Sequence, residues 1–425
     1  MLLKDAKAAM TGGQYHDELH LLYNECEASA ARYAAACDEF GKLFGNDREV
    51  SFYSAPGRTE VGGNHTDHQH GCVLAGSVNL DVIAVASKND EGIIRIKSAG
   101  YDMDTIDLNC LTPVEGETGK AASLIRGMAA AVKDAGFAIG GFDAYTTSNV
   151  LKGSGLSSSA AFEVLVGVIL SHAYNAGAID AVTIAKMAQY AENAFFGKPC
   201  GLMDQMASSV GGFTAIDFND PTAPIIEKVD FNLADAGYKL CIVNTGGNHA
   251  DLTQDYADVT TEMRAVAAIF GKQVLRDVDE EQFMLALPTV REQCGDRAVL
   301  RAMHFFADSR TAVEEKEALR AGDVDRFLAL VTASGRSSYM RLQNVYSTSA
   351  PTEQGLPLAL AVTERVLKGR GACRVHGGGF AGTIQAFVPT ELLEEYINEI
   401  EVVFGNNTCY VLNIRPVGGY ALQAK

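Results

Sequence analysis

Basic residues are scarce in this chain: 35 Lys and Arg stand against 53 Asp and Glu, leaving a formal net charge of −18 at pH 7. Nucleic-acid phosphates and anionic lipid surfaces are gripped by clustered cations. Neither is therefore an expected partner, and a small-molecule ligand is. The nine cysteines are scattered and include no C-x-x-C pair, which excludes a zinc ribbon and speaks against a disulfide framework. A reducing, cytoplasmic setting is the expectation. No stretch offers the roughly 18 uninterrupted apolar residues of a membrane span, and the polar residues soon after Met1 read as neither signal peptide nor anchor. Two catalytic signatures are missing as well. Each Gly-Lys pair, at Gly41, Gly119, Gly197 and Gly271, is followed by Leu, Ala, Pro or Gln, so no Walker A loop can supply a hydroxyl to magnesium. No G-x-S-x-G elbow follows Gly379, which excludes a hydrolase oxyanion loop at His376 to Gly379.

What remains is a globular chain of 425 residues, 47% hydrophobic, enough for two domains with real cores. From Asp17 to Phe44, Leu22, Cys26, Ala30, Tyr33, Cys37 and Phe40 recur at steps of three or four, which predicts one amphipathic helix. Between Val50 and Lys97 the pattern turns to strands, notably at Val73, Val82 to Ala86 and Ile93 to Lys97. Helical periods return at 121–134, 159–176 and 182–196. Strands are expected at 215–218 and 238–244, helices at 255–270, 298–322 and 325–339, and strands again at 373–388 and 409–414. We read domains at 1–230 and 231–425, with the final strand free to return to the first.

Four stretches carry chemistry. Leu151-Lys-Gly-Ser-Gly-Leu-Ser-Ser-Ser-Ala-Ala-Phe-Glu163 sets glycines and three hydroxyls at the start of a helix, a cradle suited to phosphates, though Gly/Ser runs also serve as plain loops before a serine cap. Ala55 to Gly71 packs Arg58, Glu60, Asn64, His65, Asp67, His68 and His70 into one Gly-bracketed loop. Metal ligation by its imidazoles and carboxylate is one reading. Recognition of a polyol is the better one, because sugar hydroxyls want acceptors and donors together. Glu192 to Gln205 holds two separated acids, Glu192 and Asp204, which can divide cation binding from orienting a substrate proton. Arg374 to Thr383 is a glycine-rich turn between strands.

Together these stretches resemble the GHMP small-molecule kinases, and within them the galactokinase branch, over nearly the whole chain. Gly57-Arg58 with His65-Thr66-Asp67 resembles the sugar signature, Gly153 to Ala160 the ATP loop, Cys200 to Gln205 the catalytic-aspartate segment, and Gly377 to Gly382 the C-terminal glycine motif. The resemblance implies an α+β two-domain GHMP kinase fold. Its N-terminal domain would be mixed, like the second domain of ribosomal protein S5, and its C-terminal domain α/β with a ferredoxin-like element. The active site would lie between them. It further implies that ATP and a galactose-like monosaccharide are substrates, with Mg2+ as cofactor. Asp204 would be the catalytic base or orienting carboxylate with Arg58 beside it. Gly153, Ser154, Gly155, Leu156, Ser157, Ser158 and Ser159 would cradle phosphates, and Ser159 and Glu192 would hold magnesium. Asn64, His65, Asp67, Gly201 and Tyr256 would meet the sugar.

Departures from the family pattern bear on the substrate. Asn64 stands where galactokinases carry a glutamate that meets the sugar's O6, which opens galacturonate or N-acetylgalactosamine as rivals to galactose. His68 replaces a tyrosine and could contribute partial positive charge, which the sequence alone leaves open. Gly62 replaces a bulky aliphatic residue, and Leu151-Lys152 replaces Pro-Leu. Some relatives are sugar sensors that bind without efficient transfer. Regulators of that type can lack the Ser159-Ala160 pair, which is intact here, so catalysis is the expectation.

Overall fold

The structure is a computed structural model that describes residues 1–150, 155–198, 200–247 and 252–424. Two sheets organise it. The larger has eight strands: β1 (Ser51–Gly62), β2 (Cys72–Asn89), β3 (Ile93–Ser98), β4 (Met103–Asp107), β5 (Gly141–Ser148), β6 (Phe213–Asp217), β7 (Ile225–Val229) and a last strand from the C-terminus. The smaller contains β8 (Tyr238–Asn244), β9 (Ala372–Val375), β10 (Thr383–Pro389) and β11 (Cys409–Leu412), ordered β11-β8-β10-β9 and antiparallel throughout. The last strand, β12 (Tyr420–Leu422), lies antiparallel to β1 with Leu422 opposite Phe52, so the larger sheet runs β12-β1-β2-β5-β3-β4, with β6 on β2 and β7 on β6.

The apolar run Val82 to Ala86 is continuous because both faces of β2 are covered. Val82, Ala84 and Ala86 face one core, shared with Ile125, Met128, Val164 and Ile169 of the helices Ala121–Asp134 and Ser158–Asn175. Ile83 and Val85 face the other, built by Leu19, Tyr33 and Phe40 of the N-terminal helices. The period of two along a strand produces this division. Sequence periodicity predicts a single helix over 17–44, and the chain instead breaks it into His16–Tyr23 and Glu27–Phe44, with Asn24 left-handed at φ 59° between them. Asparagine tolerates that conformation because its short side chain can bond locally. The expected strands at Val73 and Val82 are one 18-residue strand, long enough to run beneath both β1 and β6. The expected 182–196 helix ends at Ala191 and widens into a π-turn at Glu192–Phe196. Among the described residues no helix is long and apolar enough to cross a membrane.

Candidate active site

Two breaks in the ladder between β1 and β2 begin the site. The register shifts between Pro56 and Arg58, where the extra residues lie on β2, and again between Glu60 and Gly62, where the extra one lies on β1; such irregularities re-aim side chains while freeing ladder groups. The Arg58 N–H donates to the Leu156 carbonyl at 3.0 Å. Its guanidinium donates from Nε to Asp204 Oδ1 at 2.8 Å and from Nη1 to the Gly155 carbonyl. Asp204 occupies the first turn of the helix Met203–Val210, and its other oxygen accepts from Ser157 Oγ. Ser157 in turn caps the helix Ser158–Asn175 with φ 56°. One carboxylate thus joins the β1 arginine to the Gly155–Ser159 loop. Burial alone would push the Asp204 carboxyl up, but the Arg58 charge and hydrogen bond, with help from Ser157, hold it below the usual carboxylate range. The Ser158 to Ala160 N–H groups open the helix and have no intrahelical acceptors, the arrangement that suits an anion. Gly153 and Ser154, expected to complete this cradle, lie outside the described residues.

A second acidic group lies beside it. Ser159 Oγ donates to Glu192 Oε1 at 3.4 Å, and Lys198 Nζ reaches the same oxygen at 3.1 Å. Gln205 Nε2 donates to Glu192 Oε2 at 2.7 Å and to Glu163 Oε2 at 3.2 Å, bridging two buried carboxyls. Burial, and Glu192 nearby, push the Glu163 carboxyl up to about 9. Its Oε1 is buried with no hydrogen-bond partner among the described residues. Sequence reasoning passed over Glu163, Lys198 and Gln205. The signal for Glu163 was available, since it follows Ser159 by four positions and shares its helix face.

The His65–Asp67 loop sits against the glycine turn. His65 is left-handed at φ 57°, and its Nε2 faces the Gly378 carbonyl at 2.9 Å, so that nitrogen carries the proton. Burial pushes its imidazole down to about 4, which keeps it neutral. Asp67 is close enough to Asp204 and Arg58 to feel both charges, and burial raises its carboxyl. Gly201 is exposed beside it, and a β-carbon there would lie 2.6 Å from Asp67 Oδ2. Tyr256 Oη donates to the Gly379 carbonyl at 3.0 Å, and its ring meets Phe380 edge-on at 5.4 Å. Burial lifts its phenol to about 12. The turn itself needs glycine: Gly379 has φ 77°, and a β-carbon on it would collide with Asn344. At its start His376 bridges Thr59 and Thr383, 3.0 Å from each, and stands against Gly155. The β1 loop, the Gly155–Ser159 loop and the glycine turn therefore meet.

Two residues of this loop stand otherwise than their motif positions suggest. Asn64 does not present its amide to open space: it is fully buried. Its Nδ2 donates to Glu60 Oε1 at 2.7 Å and the Gly377 carbonyl at 2.8 Å, while its Oδ1 accepts from Asn344 Nδ2 at 2.7 Å and Ser338 Oγ at 3.3 Å. With both donors and the acceptor satisfied by protein, nothing is left for a sugar O6. His68 supplies no positive charge either, because burial, with His65 beside it, pushes its imidazole down to about 3.

Comparison with known proteins agrees with this geometry. The family model described as "GHMP kinases N terminal domain" matches residues 123–212, and the one described as "Galactokinase galactose-binding signature" matches residues 38–88. The galactokinase of Streptomyces coelicolor is 29% identical over 372 residues, 86% of this chain and 92% of that protein. That of Actinobacillus pleuropneumoniae is 30% identical over 342 residues, 80% of this chain and 85% of that one. Among solved structures, Lactococcus lactis galactokinase complexed with galactose superposes with a TM-score of 0.76 at 23% identity, covering 92% of this chain and 99% of its own. A mevalonate kinase follows the same fold at 0.61 and 15%, covering 85% of this chain and 98% of its own. Identity at this level across most of both chains, with the sugar signature and the kinase domain in the segments that meet at Arg58 and Asp204, means that the chain belongs to the galactokinase family.

Proposed function

We propose that this protein is an ATP-dependent sugar 1-kinase that transfers the γ-phosphoryl group of ATP to the anomeric hydroxyl of galactose, giving galactose 1-phosphate. The observation that carries the reading is the Arg58–Asp204–Ser157 constellation at the N-terminus of the Ser158–Asn175 helix, in a chain of galactokinase ancestry. The sugar O1–P bond forms as the bond from the γ-phosphorus to the bridging oxygen breaks, and ADP leaves. Phosphoryl transfer of this kind is chiefly positioning and charge neutralisation. Asp204 orients the hydroxyl and takes its proton on the way to solvent. Its depressed pKa makes it a better orienting acceptor than a strong base at neutral pH. Arg58 stabilises the charge on the phosphoryl group in flight. The backbone N–H groups and hydroxyls of Gly155 to Ser159 cradle the phosphates.

The chain's oxygen donors fit Mg2+, a hard cation that prefers carboxylate and hydroxyl oxygens: Ser159 and Glu192 are paired, and an unpartnered Glu163 oxygen lies behind them. Ser159 and Glu192 would hold it, and bound there it would neutralise charge on the phosphates. His65, Asp67, Gly201 and Tyr256 surround the place for the sugar. With Asn64 turned inward the motive for galacturonate disappears, and galactose stands first. A two-domain division near residue 230 and a cytoplasmic setting belong to the same proposal. All nine cysteines are free thiols, which suits a reducing compartment.

The test is ADP release with MgATP against galactose, galacturonate, N-acetylgalactosamine and glucose, beside Asp204→Asn. Galactose turnover that Asp204→Asn abolishes, with the variant still folded by circular dichroism, supports the reading. Turnover of another sugar alone, or near-normal rates in the variant, overturns it.

A further inference from the structure

We infer that Asn64 is a positioning residue, which fastens the His65–Asp67 loop to the Gly377–Gly379 turn and so sets the shape of the sugar site without touching the sugar. The inference rests on the functional reading above for what the loop binds, and on geometry alone for the fastening. Position 64 is held through its main chain as well as its side chain. Its N–H donates to Asp308 Oδ2 at 2.7 Å, and its carbonyl accepts from His304 Nε2 at 2.8 Å, both on the helix Asp296–Arg320. The side-chain partners come from β1, from the glycine turn, and from the π-turn Ser338–Leu342 and Asn344 after it.

An amide fits this set of partners on both of its sides. Glu60 and the Gly377 carbonyl demand donors, whereas Asn344 and Ser338 offer hydrogens, so an aspartate would set an acceptor against two acceptors. A glutamate would add a methylene and a second charge beside Glu60 in a site with no exposed surface. The next residue explains why such fixing is useful. His65 is left-handed, and a strained backbone of that kind persists only where its surroundings over-determine it. Asn64 and His65 bond successive carbonyls, Gly377 and Gly378, while Asn344 reaches both Asn64 and the Gly378 carbonyl at 3.1 Å. Loop and turn therefore form one unit, and Tyr256 is tied to the same turn through Gly379.

The experiment compares wild type with Asn64→Ala, Asn64→Asp and Asn344→Ala by hydrogen–deuterium exchange and by kinetics on galactose and 6-deoxygalactose. Loss of the fastening is expected to speed exchange in peptides across 62–68 and 376–380 while peptides across 160–170 keep wild-type protection. The kcat/KM for sugar should fall roughly tenfold or more, equally for galactose and 6-deoxygalactose, with the KM for MgATP unchanged. Asn344→Ala, which leaves the Asn64 donors in place, should give a smaller version of the same pattern and carries the test if the Asn64 variants do not fold. Unchanged exchange in both loops overturns the inference. So does a loss confined to galactose, the mark of direct contact with O6. If wild type phosphorylates neither sugar, the functional reading fails, and the exchange experiment still decides the fastening.

Discussion

Removing Arg58 should change the pH dependence of the enzyme as well as its speed. Two opposed influences act on Asp204: burial, the larger single one, raises its pKa, and the Arg58 charge with its 2.8 Å hydrogen bond and Ser157 outweigh it together. Arg58→Leu deletes most of the opposition. An adjacent opposite charge depresses a carboxyl by ~1–3 units, so the acid limb of kcat/KM should move up by about 1–3 pH units, equivalent to ~1.4–4 kcal/mol at about 1.4 kcal/mol per unit. The rate on the plateau should also drop by roughly 10²–10³, the cost of losing a preorganised charge at a transferring group. The assay is initial ADP release from pH 4.5 to 8.5, taken as the ratio of variant to wild type so that the titration of ATP cancels. Arg58→Lys, which keeps the charge but not the planar fork, should lose rate while its limb stays near wild type. Stability carries the same sign. In wild type the folded Asp204 pKa lies below its unfolded value, so the ionised group stabilises the protein above that unfolded value, and the contribution fades as pH falls through the folded one. In Arg58→Leu the folded value rises above the unfolded one, and stability is lost as pH climbs between them. The gap in melting temperature between the two proteins should therefore be widest near pH 7 and narrow toward pH 4. An acid limb that stays put in Arg58→Leu refutes the argument that Arg58 keeps Asp204 ionised.

Three further outcomes follow from other contacts. Gly201→Ala puts a β-carbon 2.6 Å from Asp67 Oδ2 at an exposed position; it should raise the KM for galactose roughly tenfold while leaving the melting temperature unchanged, and an unchanged KM would remove Gly201 from the sugar site. Gln205→Leu takes away the only described donor that joins Glu163 to Glu192, so Mn2+ binding followed by electron paramagnetic resonance should weaken, whereas equal affinity would leave Gln205 a packing role. Asp81 is fully buried between Arg32, Arg415, Tyr23 and Ser54, tying the N-terminal helices and the C-terminal tail to β2; Asp81→Asn should cost ~3–5 kcal/mol in urea unfolding, because it leaves buried cations short of their partner, and a loss under about 1 kcal/mol would mean that these charges reach water.

Residues of the candidate site differ in how far a linear reading can reach them. Arg58, Ser157, Ser159, Glu192 and Asp204 could be singled out because each sits in a short motif of glycines and polar residues that its immediate neighbours in sequence make recognisable. The helix Ala121–Asp134 and strand β8 were legible for a similar reason: periodicity over a dozen residues, or one compact apolar run, is a local signal. The direction of the Asn64 amide was not. It is decided by Glu60 four residues back, but also by Asn344 and Gly377 some three hundred residues on, and no pattern around position 64 encodes partners that far away. The same limit explains His68, whose charge is removed by burial under residues from other segments. A substitution in a binding motif can thus be a change in how the motif is held rather than in what it reads. At Asn64 the partner set decides between those alternatives, since a side chain with all four hydrogen-bonding positions satisfied inside the protein has none left to discriminate one sugar from another.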